Sequence, residues 1–205
     1  MTIQDANLQF RGPSPNGGKM KTVDSIILHH RAGNGDVESI HKDHMAKGWW
    51  GIGYHYYIRK DGSVWRGRPE QWVGSHAGSS NDYNKHSIGI CFEGNFEVET
   101  MTDEQVESGQ ELIEDIKDRY AIKEILGHRD VAKTACPGKN FRMGELLYDI
   151  PDWAVDDFAQ AIQDGITDGS NPTYLIPRYQ AAIMADRAYK RAVQDAIKAL
   201  GGRPL

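Results

Sequence analysis

Apolar residues fall along this chain in two rhythms, short continuous runs and longer stretches at helical spacing. Ser25-Ile26-Ile27-Leu28 is a continuous run that ends at His29-His30, which predicts a buried central strand delivering two histidines at its carboxyl end. Asp36 to Lys47 carries Val37, Ile40, His41 and His44 at helical spacing, and Gly48-Trp49-Trp50-Gly51 closes it, so a short helix is expected there. Tyr54 to Arg59 and Ser63 to Arg66 flank Lys60-Asp61-Gly62, a hairpin signal. Ser87 to Phe92 reads as a second core strand. Thr102-Asp103-Glu104-Gln105 has the form of a capping box, and Val106, Ile113, Ile116 and Tyr120 mark the apolar face of a helix ending near Tyr120. Ile122 to Leu126 adds a strand just before Gly127-His128.

Strands and helices therefore interleave, which predicts an α/β fold, a mixed central β-sheet flanked by helices. Asp149-Ile150-Pro151-Asp152 is the expected boundary, dividing the chain into a domain over 1–150 and a small helical module over 151–205. In that module Trp153 to Asp164 and Arg178 to Leu200 read as two helices joined by the turn-rich Gly165 to Pro172.

Composition narrows the function without redrawing the fold. The chain has 205 residues, 39% hydrophobic and 26% charged, with a formal net charge of -5, a globular profile. It has no run of Lys and Arg, so nucleic acid is not an expected partner. Nothing approaches the roughly 18 apolar residues of a membrane span. Met1 to Phe10 lacks the basic, apolar and small-residue order of a secretion signal, and synthesis in the cytoplasm is the expectation.

The candidate chemistry lies upstream of the tail, because all 8 histidines fall at or before His128. The 2 cysteines, Cys91 and Cys136, are too few for a disulfide framework. Cys91, inside an apolar strand, reads as a buried thiol. Cys136 follows His128 across a short loop and precedes Pro137-Gly138, a spacing that can return a thiolate to a histidine. A catalytic zinc takes three protein ligands at about 2.0 to 2.3 Å and keeps one position open, and His29 is the natural third. Such a site can lower the pKa of a bound water from about 15.7 to roughly 7. His41 and His44, three apart with no third ligand near, read as a solvated helix face. Glu93 is a candidate for the groove lining.

Six ordered segments, Ile27-Leu28-His29-His30, Gly53-Tyr54-His55-Tyr56, Asp61-Gly62, Gly74-Ser75-His76-Ala77, Ser87-Ile88-Gly89-Ile90 and His128 with Thr134-Ala135-Cys136-Pro137, closely resemble the type 2 N-acetylmuramoyl-L-alanine amidases, the family of T7 lysozyme and the peptidoglycan recognition proteins. The resemblance covers about residues 23–142. It implies hydrolysis of the amide joining N-acetylmuramic acid to L-alanine in bacterial peptidoglycan, with zinc on His29, His128 and Cys136. It also implies a catalytic Tyr54 that orients the attacking water rather than acting as a base, since a free tyrosine has a pKa of about 10.

Thr134 stands where relatives of the T7 enzyme carry lysine. Its hydroxyl can donate to a developing oxyanion without charge, and Lys133 beside it is a candidate substitute at the substrate. The resemblance places His76 in the substrate groove. The tail is similar, more loosely, to the S-layer homology motif through Trp153-Ala154, Phe158, Gly165 to Gly169, Pro172 and Arg178. That implies attachment to a cell-wall polymer, and so small a module is expected either to dock on the first domain or to self-associate. Together these features suggest a phage or prophage endolysin that reaches the wall after release from the host cytoplasm. A recognition protein that binds peptidoglycan without cutting it is the competing expectation.

Overall fold

The computed structural model describes residues 1–13, 18–78 and 82–147, together with 188–190, 192–193 and 195–197. The chain divides into two compact units, Met1–Ser170 and Asn171–Leu205. In the second unit the described residues are helical, within the span expected for the second tail helix. The expected boundary at 149–152, the first tail helix and nearly all of the S-layer-like motif lie outside the described residues.

The first unit is built on a six-stranded sheet. Its strands are β1 (Ile3–Asp5), β2 (Ser25–His30), β3 (Tyr56–Ile58), β4 (Val64–Arg66), β5 (Ser87–Phe92) and β6 (Glu124–Gly127), in the spatial order β1-β4-β3-β5-β2-β6. β2, β3, β5 and β6 run parallel, and β4 is antiparallel to β3. The sheet is thus mixed, as expected. β2 and β5 are buried along their whole length, which is why they read as continuous apolar runs. β1 was not legible because it is an edge strand of three residues with only Ile3 half-buried.

Side chains alternate across the sheet and feed two cores. Ile26, Leu28, Tyr56, Ile58, Ile88, Ile90 and Phe92 pack under α2 (Asp103–Arg119) through Val106, Leu112, Ile113 and Ile116. Tyr57 and Cys91 point the other way, onto Val37 and Ile40 of α1 (Val37–Ala46). Leu112 is fully buried, and its truncation to alanine would cost about 2–5 kcal/mol. Each helix begins where a side chain caps it. Asp36 accepts from Ser39 N at 2.8 Å, and Thr102 and Gln105 complete the expected box on α2.

Two short helices follow β6, α3 (His128–Val131) and α4 (Met143–Leu147). Both are too brief to show periodicity in the sequence. They matter because the parallel strands β2 and β6 end side by side, with Leu28 opposite Gly127. His29 and His128 are the next residues on each, at the carboxyl edge where ligands of parallel sheets gather.

Candidate metal centre

His29 follows Leu28 on β2 and so faces the α1 side of the sheet, fully buried. His30 turns to the opposite face, where its Nδ1 accepts from Phe96 N at 3.2 Å. His128 opens α3 immediately after β6. The third residue arrives on the 132–140 loop, which several contacts pin down. Arg129 donates to the Gly138 carbonyl, Asn140 N to Phe96 O at 2.8 Å, and Lys139 N to Glu97 at 2.9 Å. Gly138 has a φ of +106°, and a Cβ there would lie 2.4 Å from the Phe96 backbone, so only glycine fits.

This loop brings Cys136 Sγ to 3.8 Å from His29 Nδ1 and 3.4 Å from His30 N. The candidate ligand atoms of His29, His128 and Cys136 lie within 4.8 Å of one another. Their chemistry fits a cation. Burial first, then the neighbouring His76 and His128, keeps His29 well below the ordinary histidine range, and burial also lowers His128; both present neutral rings. Burial pushes the Cys136 thiol up to about 11, so its thiolate needs a positive partner, which a metal supplies. The solvent-shielded Nε2 of His128 has no hydrogen-bond partner among the described residues. These three residues could hold a metal ion.

Tyr54 stands beside the cluster, its ring 5.0 Å from that of His29 and 5.7 Å from that of His44. Burial, then the thiols of Cys91 and Cys136, hold its hydroxyl well above the ordinary tyrosine value. It therefore keeps its proton and can donate. Lys133 and Thr134 are exposed on the ligand loop, and Thr134 Oγ1 accepts from Cys136 N at 3.2 Å. The threonine thus shapes the loop and retains its own proton.

His76 is buried, with Nδ1 3.1 Å from His29 Nε2. Two sequence expectations need correction. His41 and His44 are not a solvated helix face. Both are buried and accept from backbone, His41 Nδ1 from Ile52 N at 3.3 Å and His44 Nδ1 from Gly53 N at 3.1 Å. Glu93 does not line the groove; it is buried and accepts from Gly35 N at 2.8 Å and Lys60 N at 3.1 Å, tying two loops together. Cys91 is a fully buried thiol, as expected.

Sequence reasoning missed Asn84, whose Oδ1 accepts from both His76 N and Ala77 N at 2.8 and 2.9 Å. It left no sequence signal, because its partners lie across a loop. An open cavity of about 450 Å³ sits elsewhere, between the N-terminal segment and the 66–71 turn, and contains none of the metal-ligand candidates. Its charged groups are engaged: Glu70 pairs with Arg119, and Arg68 donates to the carbonyls of Ile52 and Val73.

Known proteins show the same arrangement of chain. The structure of N-acetylmuramoyl-L-alanine amidase LysC from Clostridium intestinale URNW superposes with a TM-score of 0.66 at 38% identity, covering 71% of this chain and 95% of that one. The endolysin of Escherichia phage T7 is 34% identical over 141 residues, 64% of this chain and 87% of the phage protein. Peptidoglycan-recognition protein SC2 of Drosophila melanogaster is 36% identical over 127 residues, 56% of this chain and 67% of that protein. Residues 19–139, which carry β2 through β6 and all three candidate ligands, match the N-acetylmuramoyl-L-alanine amidase family, and the chain belongs to that family.

Proposed function

We propose that this chain is an endolysin that hydrolyses the amide between N-acetylmuramic acid and L-alanine in peptidoglycan, with zinc held by His29, His128 and Cys136. The observation that carries the reading is the convergence of those three donors from β2, the start of α3 and the 132–140 loop, within 4.8 Å of one another and beside Tyr54. When bound, zinc supplies Lewis acidity at neutral pH. The chain's own residues do the rest. The neutral imidazoles and the thiolate offer lone pairs to one point. Tyr54, which keeps its proton, donates a hydrogen bond that orients the water or the scissile carbonyl. Thr134 has a hydroxyl proton to donate to the developing oxyanion, and Lys133 is placed on the same exposed loop to meet the substrate.

The phage role rests on likeness to endolysins, and with it the path from host cytoplasm to cell wall. Among the described residues no helix is long and apolar enough to cross a membrane. A recognition protein that binds without cutting is the less favoured reading, because the full donor set and Tyr54 are present. The assignment of residues 151–205 to a module that holds a wall polymer and self-associates rests on the motif in the sequence alone. Its test is sedimentation with intact walls of the whole chain against a chain ending at residue 150.

Digestion of purified peptidoglycan separates the two main readings. The expected result is new L-alanine amino termini without new reducing sugars, abolished by chelation and restored by zinc. Wall binding with no new amino termini at any zinc concentration would overturn the enzyme reading.

A further inference from the structure

Behind the metal centre the His76 ring sits in a slot made by missing side chains. A Cβ added at Gly74 would lie 2.4 Å from its Cδ2, and one added at Gly89 would lie 2.6 Å away. The backbone on either side of the ring is held by Asn84, which accepts from His76 N and Ala77 N. The His55 ring meets it nearly edge-on, with centroids 5.5 Å apart at 80°. The ring therefore has one place to be, and there its Nδ1 meets His29 Nε2 at 3.1 Å. On the other side of the same imidazole, His29 Nδ1 faces Cys136 Sγ at 3.8 Å.

Two arrangements of protons satisfy this contact. If His76 donates from Nδ1, His29 Nε2 accepts, and the proton of the neutral His29 ring sits on Nδ1, aimed at the thiol and blocking a metal. If His29 donates from Nε2, His76 Nδ1 accepts and the His29 Nδ1 lone pair is free.

We propose that His76 is a positioning residue for the metal centre: by accepting the Nε2 proton of His29 it fixes the tautomer and ring orientation that leave Nδ1 as the ligand atom. This rests on the metal reading above and adds a role for a residue outside the candidate ligand set. It also gives a physical reason for Gly74 and Gly89, which leave space for the ring.

The test measures zinc itself rather than turnover. Zinc affinity is obtained by competition with a chromophoric chelator for the parent, His76→Phe and His76→Asn, with circular dichroism to verify folding. Phenylalanine keeps a planar, somewhat larger ring and removes the acceptor, whereas asparagine is smaller and restores a short-reach acceptor. The expected result is an affinity loss on the order of 10–100-fold in His76→Phe, partly recovered in His76→Asn.

A second measurement needs no substitution: nitrogen NMR of the zinc-loaded parent labelled at histidine should place the His29 proton on Nε2 and leave His76 Nδ1 unprotonated. A folded His76→Phe that binds zinc as tightly as the parent, or a proton on His76 Nδ1 in the loaded protein, overturns the proposal while leaving the metal reading intact. A parent that binds no zinc overturns both.

Discussion

Six histidine environments, five of them buried and that of His128 half-buried, divide into two groups, and the contrast separates candidate chemistry from scaffold. His41, His44 and His55 spend their nitrogens on backbone. His41 bridges Gln9 O at 3.0 Å and Ile52 N at 3.3 Å, and His55 bridges Trp72 O at 3.0 Å and Gly89 N at 2.9 Å. His44 accepts from Gly53 N at 3.1 Å. These rings staple loops to α1 and to the sheet. His29, His76 and His128 instead meet one another and a thiol, with His29 against His76 at 3.1 Å and Cys136 at 3.8 Å. A buried imidazole satisfied by main chain has no lone pair left for a ligand, whereas one satisfied by other titratable side chains holds its lone pair toward a shared point.

Replacing a member of the second group should break the chemistry and spare the fold. Cys136→Ser is expected to lose amidase activity by on the order of 1,000-fold or more, because one of the three proposed ligands is gone. Equilibrium dialysis should show zinc binding lost while the urea midpoint of the chelated protein stays near that of the chelated parent. Retention of tight zinc by Cys136→Ser would remove this residue from the ligand set.

Two rings of the scaffold group should contribute to the acid response of the fold. Burial lowers His44 and His55 to about 4 from the ordinary 6.5. Between those values the folded protein keeps both rings neutral while the unfolded chain takes up protons. Stability is therefore complete above about pH 6.5 and is lost as the pH falls toward 4. The loss is up to about 3 kcal/mol for each ring. Urea midpoints of chelated protein from pH 7.5 to 4.5 should fall steadily, and His44→Gln should flatten the slope. A midpoint independent of pH over that range would rule out this assignment.

Tyr54 touches both groups, with His29 on one side and His44 on the other, and so tests where the boundary lies. If it serves the chemistry, Tyr54→Phe lowers kcat by about 100-fold with zinc affinity and urea midpoint unchanged. A lower midpoint with normal kcat would move it into the scaffold.

How much of this contrast could be seen in the sequence depends on the range of each contact. β2, β5, α1 and α2 were legible because burial on two faces or one writes itself as a run or a period. The candidate ligands were legible because Leu28-His29 ends a strand and His128 and Cys136 lie close in sequence. The partners of His41, His44 and His76 were not legible. Ile52 N and Gly53 N are backbone groups with no side chain to announce them, and His29 and His76 are brought together only by the packing of the 74–77 segment against β5. The same helical spacing that suggested a solvent face for His41 and His44 is what a buried face looks like when histidine replaces leucine. Glu93 misled for a related reason: a carboxylate at a strand end can serve two backbone amides as well as a substrate.

The smallest expected effect is also the cleanest separation of the two groups. His41 lies on α1, its Nε2 against the Gln9 carbonyl and its Nδ1 against Ile52 N, with no contact to the ligand cluster among the interactions described above. His41→Ala leaves a buried N–H and a carbonyl without their partner, which costs about 1–3 kcal/mol, and the Phe10 ring that packs edge-on against His41 at 4.9 Å loses its support. The urea midpoint should fall accordingly, while zinc affinity and kcat at 25 °C stay at parent values. His41→Gln, which can reach one of the two backbone groups, should recover part of the loss. If His41→Ala weakened zinc instead, α1 would be acting on the metal centre through Ile52 and Tyr54, and the division between scaffold and chemical histidines would have to be redrawn along that path.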